Sequence, residues 1–299
     1  MSDKISVTKG GVFALGNFDG VHCGHRQVIA ATMDAARLLN VPANILTFEP
    51  HPRSVFVPDA SPFRLTPFDI KEKLLKACGI DEVIALPFTL DFAQMTAQDF
   101  VDDILLKHYG AQHIVAGHDF TFGHNRAGTM HKLAEWLAPH NIPVTAIAPV
   151  GDGEAFSSTR IRAFLQQGDV ASATAMLGHA WVIEGEIVKG MQRGRTIGVP
   201  TTNISLGNFL RPKFGVYAVQ AGRVGEALTL RGVANIGTRP TVDGVGENLE
   251  AHLFDFDQDI YGQKWQFALK RFIRPESKFE TIDALKIQIA RDIEAARRD

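Results

Sequence analysis

The stretch GVFALGNFDGVHCGHRQVIA, Gly11 to Ala30, sets three textures side by side. GVFAL is a short apolar run of the kind that forms a buried strand. From His25 onward, HRQVIAATMDAARLLN carries apolar residues at helical spacing. Between the two stand Gly16, Gly20 and Gly24, together with Asp19, His22 and His25. Strand, glycine-rich bend and helix in that order open a βα unit, and the glycines let backbone approach a ligand closely.

The alternation continues outward from this unit. ANILTF, DEVIALPF, QHIVAG and PVTAIAPV read as strands, and PFDIKEKLLKACG, TAQDFVDDILLKHYG and TMHKLAEWLAPHN as helices between them. This predicts an α/β fold with a parallel sheet covered on both faces. Ligands of such sheets sit beyond the carboxyl ends of the strands. The opening bend, EPHP after the second strand and GHDFTFGHNRAG after the fourth all fall there, so three unusual loops converge on one candidate site.

After residue 178 the texture changes. WVIEGEIVKG, GVYAVQAG, LTLRGVANIG, LEAHLFDF and KWQFALKRFI are strand-like pieces parted by Gly, Pro and Asn turns. Short strands without intervening helices predict a small antiparallel β-barrel. In the closing TIDALKIQIARDIEAARR, Ile282, Leu285, Ile289 and Ile293 form one apolar stripe, expected to dock on the barrel. The boundary falls near ATAMLGHAW, giving domains 1–179 and 180–299.

A chain of 299 residues accommodates two such domains. Hydrophobic content of 45% and charged content of 21% exclude a disordered or fibrous class. A net charge of -2 argues against a non-specific nucleic-acid binder while allowing a local basic pocket. No run of 18 apolar residues reads as a membrane span, and MSDKISVTKGG lacks the apolar centre of a signal peptide, so a cytoplasmic address is expected. Cys23 and Cys78 form no disulfide framework or zinc ribbon and read as two reduced thiols.

The helix that follows the opening bend presents free N–H groups and a partial positive charge, which suit phosphate. His22 and His25 would face the same anion and donate to phosphoryl oxygens as charge builds. Two other readings stand beside this one. His22, Cys23 and His25 could ligate a metal, although no further ligand stands at a recognisable spacing, or the histidines could simply cap the helix. Downstream, FSSTRIRAFLQQG offers Ser157, Ser158 and Thr159 as N-cap candidates. Arg160 and Arg162 follow in the first turn, where the helix dipole favours acids, a placement that makes sense with a bound anion.

In the second part, GMQRGRTIGVPTTNI is glycine-rich and basic, as a phosphate loop should be, although G-x-x-x-x-G-K-[ST] occurs nowhere in the chain. PTTN brings hydroxyl and amide oxygens together, and hard oxygens with substrate phosphates are how Mg²⁺ is held. Thr201 and Asn203 are therefore Mg²⁺–ATP candidates. Glu250, within LEAHLFDF, can accept the proton of an attacking hydroxyl.

GNFDGVHCGH resembles the nucleotidyltransferase signature related to the HIGH box of class I aminoacyl-tRNA synthetases. With TFEPHP, GHDFTFGHNRAG and FSSTRIRAFLQQG, the first part resembles the adenylyltransferase module of bacterial bifunctional riboflavin kinase/FAD synthetases. The second part resembles the riboflavin kinase barrel of that family. The family's GRTxGFPTAN appears as GRTIGVPTTN, with Val199 and Thr202 as departures, and KFGVYAV, NIGTRPTV, EAHLFDFDQDIYG and RFIRPESKF also match. The resemblance runs from about Gly11 to Arg297.

It implies a Rossmann-like nucleotidyltransferase domain, then a riboflavin-kinase-type barrel with a terminal helix. The implied reactions are phosphorylation of riboflavin to FMN by ATP, then adenylylation of FMN to FAD with release of pyrophosphate. Riboflavin, FMN and ATP are the small-molecule partners, Mg²⁺ the cofactor, and no nucleic acid or membrane is involved. The implied catalytic residues are Glu250, His22, His25 and Arg162. Gly16, Asn17, Phe18, Asp19, Gly24, Ser157, Ser158, Thr159, Arg160, Gly190, Gly194 and Arg195 would bind ATP and its phosphates. Asp119, Phe120, Arg274 and Glu276 would contact flavin, and Thr201 and Asn203 the metal. An aminoacyl-tRNA synthetase-like enzyme would need a KMSKS-type lysine loop or a basic RNA-binding domain, and the sequence has neither. A non-catalytic flavin- or nucleotide-binding regulator would fit better without Glu250, Asn203 and His25, all of which are present. The sequence sets no oligomeric state.

Overall fold

Val12–Leu15 forms β1, the central strand of a parallel sheet. Its period-two alternation explains that place. Val12 and Ala14 pack on one face with Val28, Ile29 and Ala36 of the helix Cys23–Leu39. Phe13 and Leu15 pack on the other with Val101, Leu105, Leu133 and Leu137. The remaining strands are β2 (Ala43–Glu49), β3 (Glu82–Pro87), β4 (His113–Gly117) and, beyond a short hairpin of β5 (Thr121–Phe122) and β6 (Gly128–Thr129), β7 (Val144–Ile147). The spatial order is β3-β2-β1-β4-β7. From β1 the chain builds β2 and β3 on one side, then returns to add β4 and β7 on the other. The loops leaving β1 and β4 therefore part around a crevice at the switch point, where ligands of open α/β sheets bind.

The computed structural model describes residues 9–151, 153–188, 199–241 and 244–298. They fall into two compact units: residues up to Ala60 with Thr66–Ser157, and Ser61–Leu65 with Ser158 onward. The helices expected in the first part are present, except that Ala97–Asp99 runs on as the wider π-helical turns of Phe100–His108.

The second unit is the expected barrel. Its strands are β8 (Val182–Glu186), β9 (Thr202–Ser205), β10 (Gly215–Arg223), β11 (Leu230–Thr241), β12 (Gly244–Leu253) and β13 (Lys264–Arg274). They pair antiparallel in the order β8-β13-β10-β11-β12-β9. Past the end of β8, the Val188 N–H donates to the Asn203 carbonyl at 2.9 Å, drawing the two edge strands together. Gly185 allows this approach, since a Cβ there would lie 3.1 Å from Cβ of Ile204. The sheet is thus nearly closed, which removes edges open to foreign strands. The segment PTTN contributes its last two residues to β9.

Helices Ser158–Gln167 and Val170–Leu177 belong to this second unit, so compaction divides the chain earlier than residue 179. The strap 61–65 joins them there, held by Arg162 Nε donating to Phe63 O at 2.8 Å and Trp181 Nε1 to Leu65 O at 2.8 Å. The terminal helix Ile282–Arg297 docks differently from expectation. Ile293 and Ala296 pack against Val216, Ala218, Val233 and Phe254. Ile282, Leu285 and Ile289 instead face a cavity. Periodicity identified the apolar stripe but not what lies across from each turn of it.

Candidate functional sites

Between β1 and the helix Cys23–Leu39 the chain turns tightly, with φ of +50° at Phe18, +88° at Gly20 and +42° at Val21. A β-branched residue at positive φ is strained and persists only where its surroundings enforce it. The enforcing contacts are visible. The buried Asp19 carboxylate accepts from Thr66 N at 2.9 Å, and Gly20 N donates to Thr66 Oγ1 at 2.9 Å. Phe18 is buried beneath Gly16, where a Cβ would lie 3.1 Å from its ring. Phe18 and Asp19 thus turn inward and shape the loop, while Gly16 and Asn17 line a cavity.

His22 is the N-cap, with Nδ1 accepting the His25 backbone N–H at 3.3 Å. The imidazole replaces the usual Ser or Asp cap, and accepting at Nδ1 leaves Nε2 to carry the proton of the neutral ring. The His25 ring stacks on His22, centroids 3.6 Å apart, and lies 5.1 Å from Phe18. A Cβ at Gly24 would come within 3.1 Å of the His22 ring, so glycine there keeps the stack open. His25 Nδ1 is buried and has no hydrogen-bond partner among the described residues. Among those residues no group of three His, Cys, Asp or Glu is placed to hold a metal ion.

Lys71, absent from the candidates read in the sequence, stands beside this loop. Its side chain is fully buried, and Nζ donates to Asn17 O at 3.2 Å and to Thr47 Oγ1 at 3.1 Å. A signal for it did exist: in the helix Phe68–Ala77, Lys71 is one helical turn from Leu75, on the stripe that enters the core.

Burial foremost, then the electrostatic influence of His22 and Lys71, hold the His25 imidazole well below its ordinary range. The ring is therefore neutral at neutral pH. An unfolded-state imidazole titrates near pH 6.5. The stabilisation from neutral His25 is complete above that pH and is lost as pH falls toward the folded-state value. Unfolding of the first unit, followed by circular dichroism from pH 7.5 down to about 5, should show a falling midpoint. In His25→Gln the fall should be shallower, and an equal slope would remove His25 as its cause.

From Gly16 and Asn17 the cavity extends for about 770 Å³ along a wall of phenylalanines, among them Phe48, Phe88, Phe92 and Phe122. Their edge-to-face and tilted contacts, such as Phe48 to Phe88 at 5.6 Å, make a slot for a flat apolar ring. Asp119 and Phe120, on the loop after β4, line it too, and Phe120 stacks on Phe122 at 5.7 Å. Beyond EPHP, the short helix Pro52–Phe56 contributes Pro52 and Phe56. All three predicted loops or their continuations thus meet at the switch-point crevice. Ser157 directly precedes the helix Ser158–Gln167, with Ser158 and Thr159 in its first turn. The Arg160 guanidinium lies over Phe164, and Arg162 engages Phe63.

In the barrel one row of residues crosses five strands. Asn203 of β9 stands opposite Glu250 of β12, Glu250 opposite Asn235 of β11, Asn235 opposite Val216 of β10, and Val216 opposite Arg274 of β13. Cross-strand partners share a face, which is how sequence-distant motifs arrive together. Thr201 Oγ1 donates to Glu250 Oε1 at 2.7 Å. His252, on the same face of β12, bonds the Pro200 carbonyl through Nδ1 at 2.8 Å and so holds the PTTN segment against the strand.

A cavity of about 650 Å³ opens over this row. Val199, Val216 and Val233, with Ile282, Leu285 and Ile289 of the terminal helix, give it apolar walls. Glu250, Asn235 and Glu276 give it polar ones, and Asn235 Nδ2 donates to Glu276 Oε1 at 3.1 Å. Arg274 also lines it, its guanidinium held by Asp292 at 2.7 to 3.1 Å. A second cavity of about 360 Å³, bounded by Pro200, Phe256 and Tyr261, meets the first at Thr201. Asn235, His252 and Asp292 were not singled out from sequence, because only strand register and helix docking bring them here. Gly190, Gly194 and Arg195 lie outside the described residues.

Residues 4–160 match the FAD synthetase family and residues 177–299 the riboflavin kinase family. The chain is 41% identical over 290 residues to the bifunctional riboflavin kinase/FMN adenylyltransferase of Escherichia coli K12, covering 97% of this chain and 92% of that one. It is 37% identical to the protein of the same name from Bacillus subtilis, covering 96% and 92%. A crystal structure from Streptococcus pneumoniae, described as a macrolide-efflux protein, superposes with a TM-score of 0.86 at 34% identity, covering 98% of this chain and 96% of that one. Among the described residues of the present chain no helix is long and apolar enough to cross a membrane.

Proposed function

Because the chain belongs to the bifunctional riboflavin kinase/FMN adenylyltransferase family, we propose how its two reactions divide between two segments of the chain. The enzyme phosphorylates riboflavin to FMN and adenylylates FMN to FAD, with ATP as co-substrate of both. Adenylylation is assigned to residues 1–179 and phosphorylation to 180–299. Family matches ending at 160 and beginning at 177 support that division.

The observation that carries the kinase assignment is the Thr201–Glu250 hydrogen bond of 2.7 Å where two cavities meet. Phosphoryl transfer between two substrates needs two pockets with the reacting atoms at their junction. Riboflavin fits the larger, with Arg274 and Glu276 at its edge, and ATP the smaller. Glu250 takes the proton of the 5′-hydroxyl as its oxygen bonds to the γ-phosphorus, the bond to the β-phosphate oxygen breaks and ADP leaves.

Thr201 and Asn203 offer hydroxyl and amide oxygens beside that carboxylate, a hard donor set that fits Mg²⁺ carried in on ATP. Bound there, Mg²⁺ would neutralise charge on the transferring phosphates. Gly190, Gly194 and Arg195 are proposed to cover the phosphates, on sequence alone.

In the first unit the aromatic slot takes the flavin of FMN, beside Asp119 and Phe120. The phosphates of ATP lie toward Gly16, Asn17 and the helix N-terminus at Gly24. An FMN phosphate oxygen attacks the α-phosphorus and pyrophosphate departs. FMN already carries an anionic nucleophile, so this step needs charge stabilisation rather than a base. His22 and His25 supply it; Ser157, Ser158, Thr159, Arg160 and Arg162 keep, on sequence alone, the phosphate-binding and catalytic roles that the resemblance implies. We keep the cytoplasmic address expected from the sequence as part of this proposal.

Calorimetric titration with a non-hydrolysable ATP analogue and Mg²⁺ should give two nucleotides per chain. A single nucleotide per chain, with or without flavin, would overturn the two-site division.

A further inference from the structure

We infer that Lys71 is a positioning residue for adenylyl transfer, its buried ammonium fixing the Asn17 carbonyl and setting the field at the His22–His25 pair. The inference rests on placing that reaction in the first unit.

Geometry is the first support. Lys71 Nζ reaches Asn17 O at 3.2 Å and Thr47 Oγ1 at 3.1 Å, and Thr47 Oγ1 itself donates to Asn17 O at 3.3 Å. The three groups form a closed triangle under the residue that lines the cavity beside Gly16. Asn17 directly precedes Phe18, where φ turns positive. The lysine therefore clamps the strained loop at its entry, while Thr66 clamps it at Asp19 and Gly20.

Chemistry is the second. Burying an ammonium is costly, and a threonine or asparagine could satisfy one carbonyl without that cost. What only a cation adds is a positive potential in a low-dielectric site, where charges act strongly. That potential reaches His25, where the groups acting on the ring are His22 from the N-cap and Lys71 from the neighbouring helix. Negative charge accumulates on the triphosphate at this point in the reaction, so a fixed cation behind the histidines favours the transition state.

The test uses the full chain. In Lys71→Met, kcat for FMN to FAD should fall about 100-fold while riboflavin to FMN is unchanged. The His25 imidazole, followed by NMR, should titrate at higher pH than in the wild type, since a repelling charge has gone. Lys71→Arg keeps the charge and should leave that titration in place. A kcat within about threefold of wild type, or a lowered kcat with an unmoved His25 titration, would overturn the inference.

Should Lys71→Met fail to fold, Thr47→Val carries the test. It removes one corner of the triangle, both the hydrogen bond from the Lys71 ammonium and the one to Asn17 O, and should lower the same kcat about tenfold or more; an unchanged value overturns the clamp. Failure of the site assignment itself is distinguishable, because it would also leave His25→Ala fully active in making FAD.

Discussion

Glu250→Ala is expected to lower conversion of riboflavin to FMN by about 10³-fold or more and to leave conversion of supplied FMN to FAD near normal. The carboxylate stands in the cross-strand row between Asn203 and Asn235, with Thr201 donating to it. Alanine removes the proposed proton acceptor and releases the Thr201 hydroxyl that donates to it. The strand pairing itself is made by backbone groups and survives. Glu250→Gln separates the two effects: it keeps an oxygen for Thr201 but cannot take a proton at neutral pH, and it should be nearly as inactive as alanine. Chromatography of the flavins reads both reactions in one sample. Equal loss of FMN and FAD formation in Glu250→Ala would contradict the assignment of one reaction to each unit.

His25→Ala should do the converse, lowering FAD formation from supplied FMN by about 10²- to 10³-fold while riboflavin phosphorylation continues. The variant is a clean probe because the His22 cap bonds the backbone N–H of residue 25, which alanine keeps. What disappears is the stacked ring and its Nδ1, which has no partner among the described residues. Helix and loop should therefore persist, and the loss should appear in kcat more than in KM for FMN. His22→Ala is a poorer choice, since it also removes the cap, worth about 1 kcal/mol of helix stability. A full FAD yield from His25→Ala would refute the catalytic assignment.

Much of this was legible in the residues. Apolar runs alternating with helical periodicity gave the parallel sheet, and the carboxyl-end rule brought GNFDGVH, EPHP and GHDFTFG to one crevice. Strand texture gave the barrel. What stayed hidden depends on register or on what lies opposite. The row from Asn203 to Arg274 exists only once five strands are aligned. The phenylalanine slot draws on β2, the segment after β3, two helical pieces and the β5 hairpin, none of which announces a ring site alone. Lys71 reads as a solvated charge unless its place on the apolar stripe is weighed above its charge. Of the terminal helix stripe only Ile293 docks on the barrel, because Ile282, Leu285 and Ile289 meet a cavity.

The closing contact of the barrel has a consequence of its own. Asn203 offers its carbonyl to the last bridge, from Val188, and its side chain to the row that includes Glu250. Closure of the barrel and assembly of the proposed metal-holding pair are thus one event: a sheet still open at Val188 would leave Asn203 without its fixed place beside Glu250.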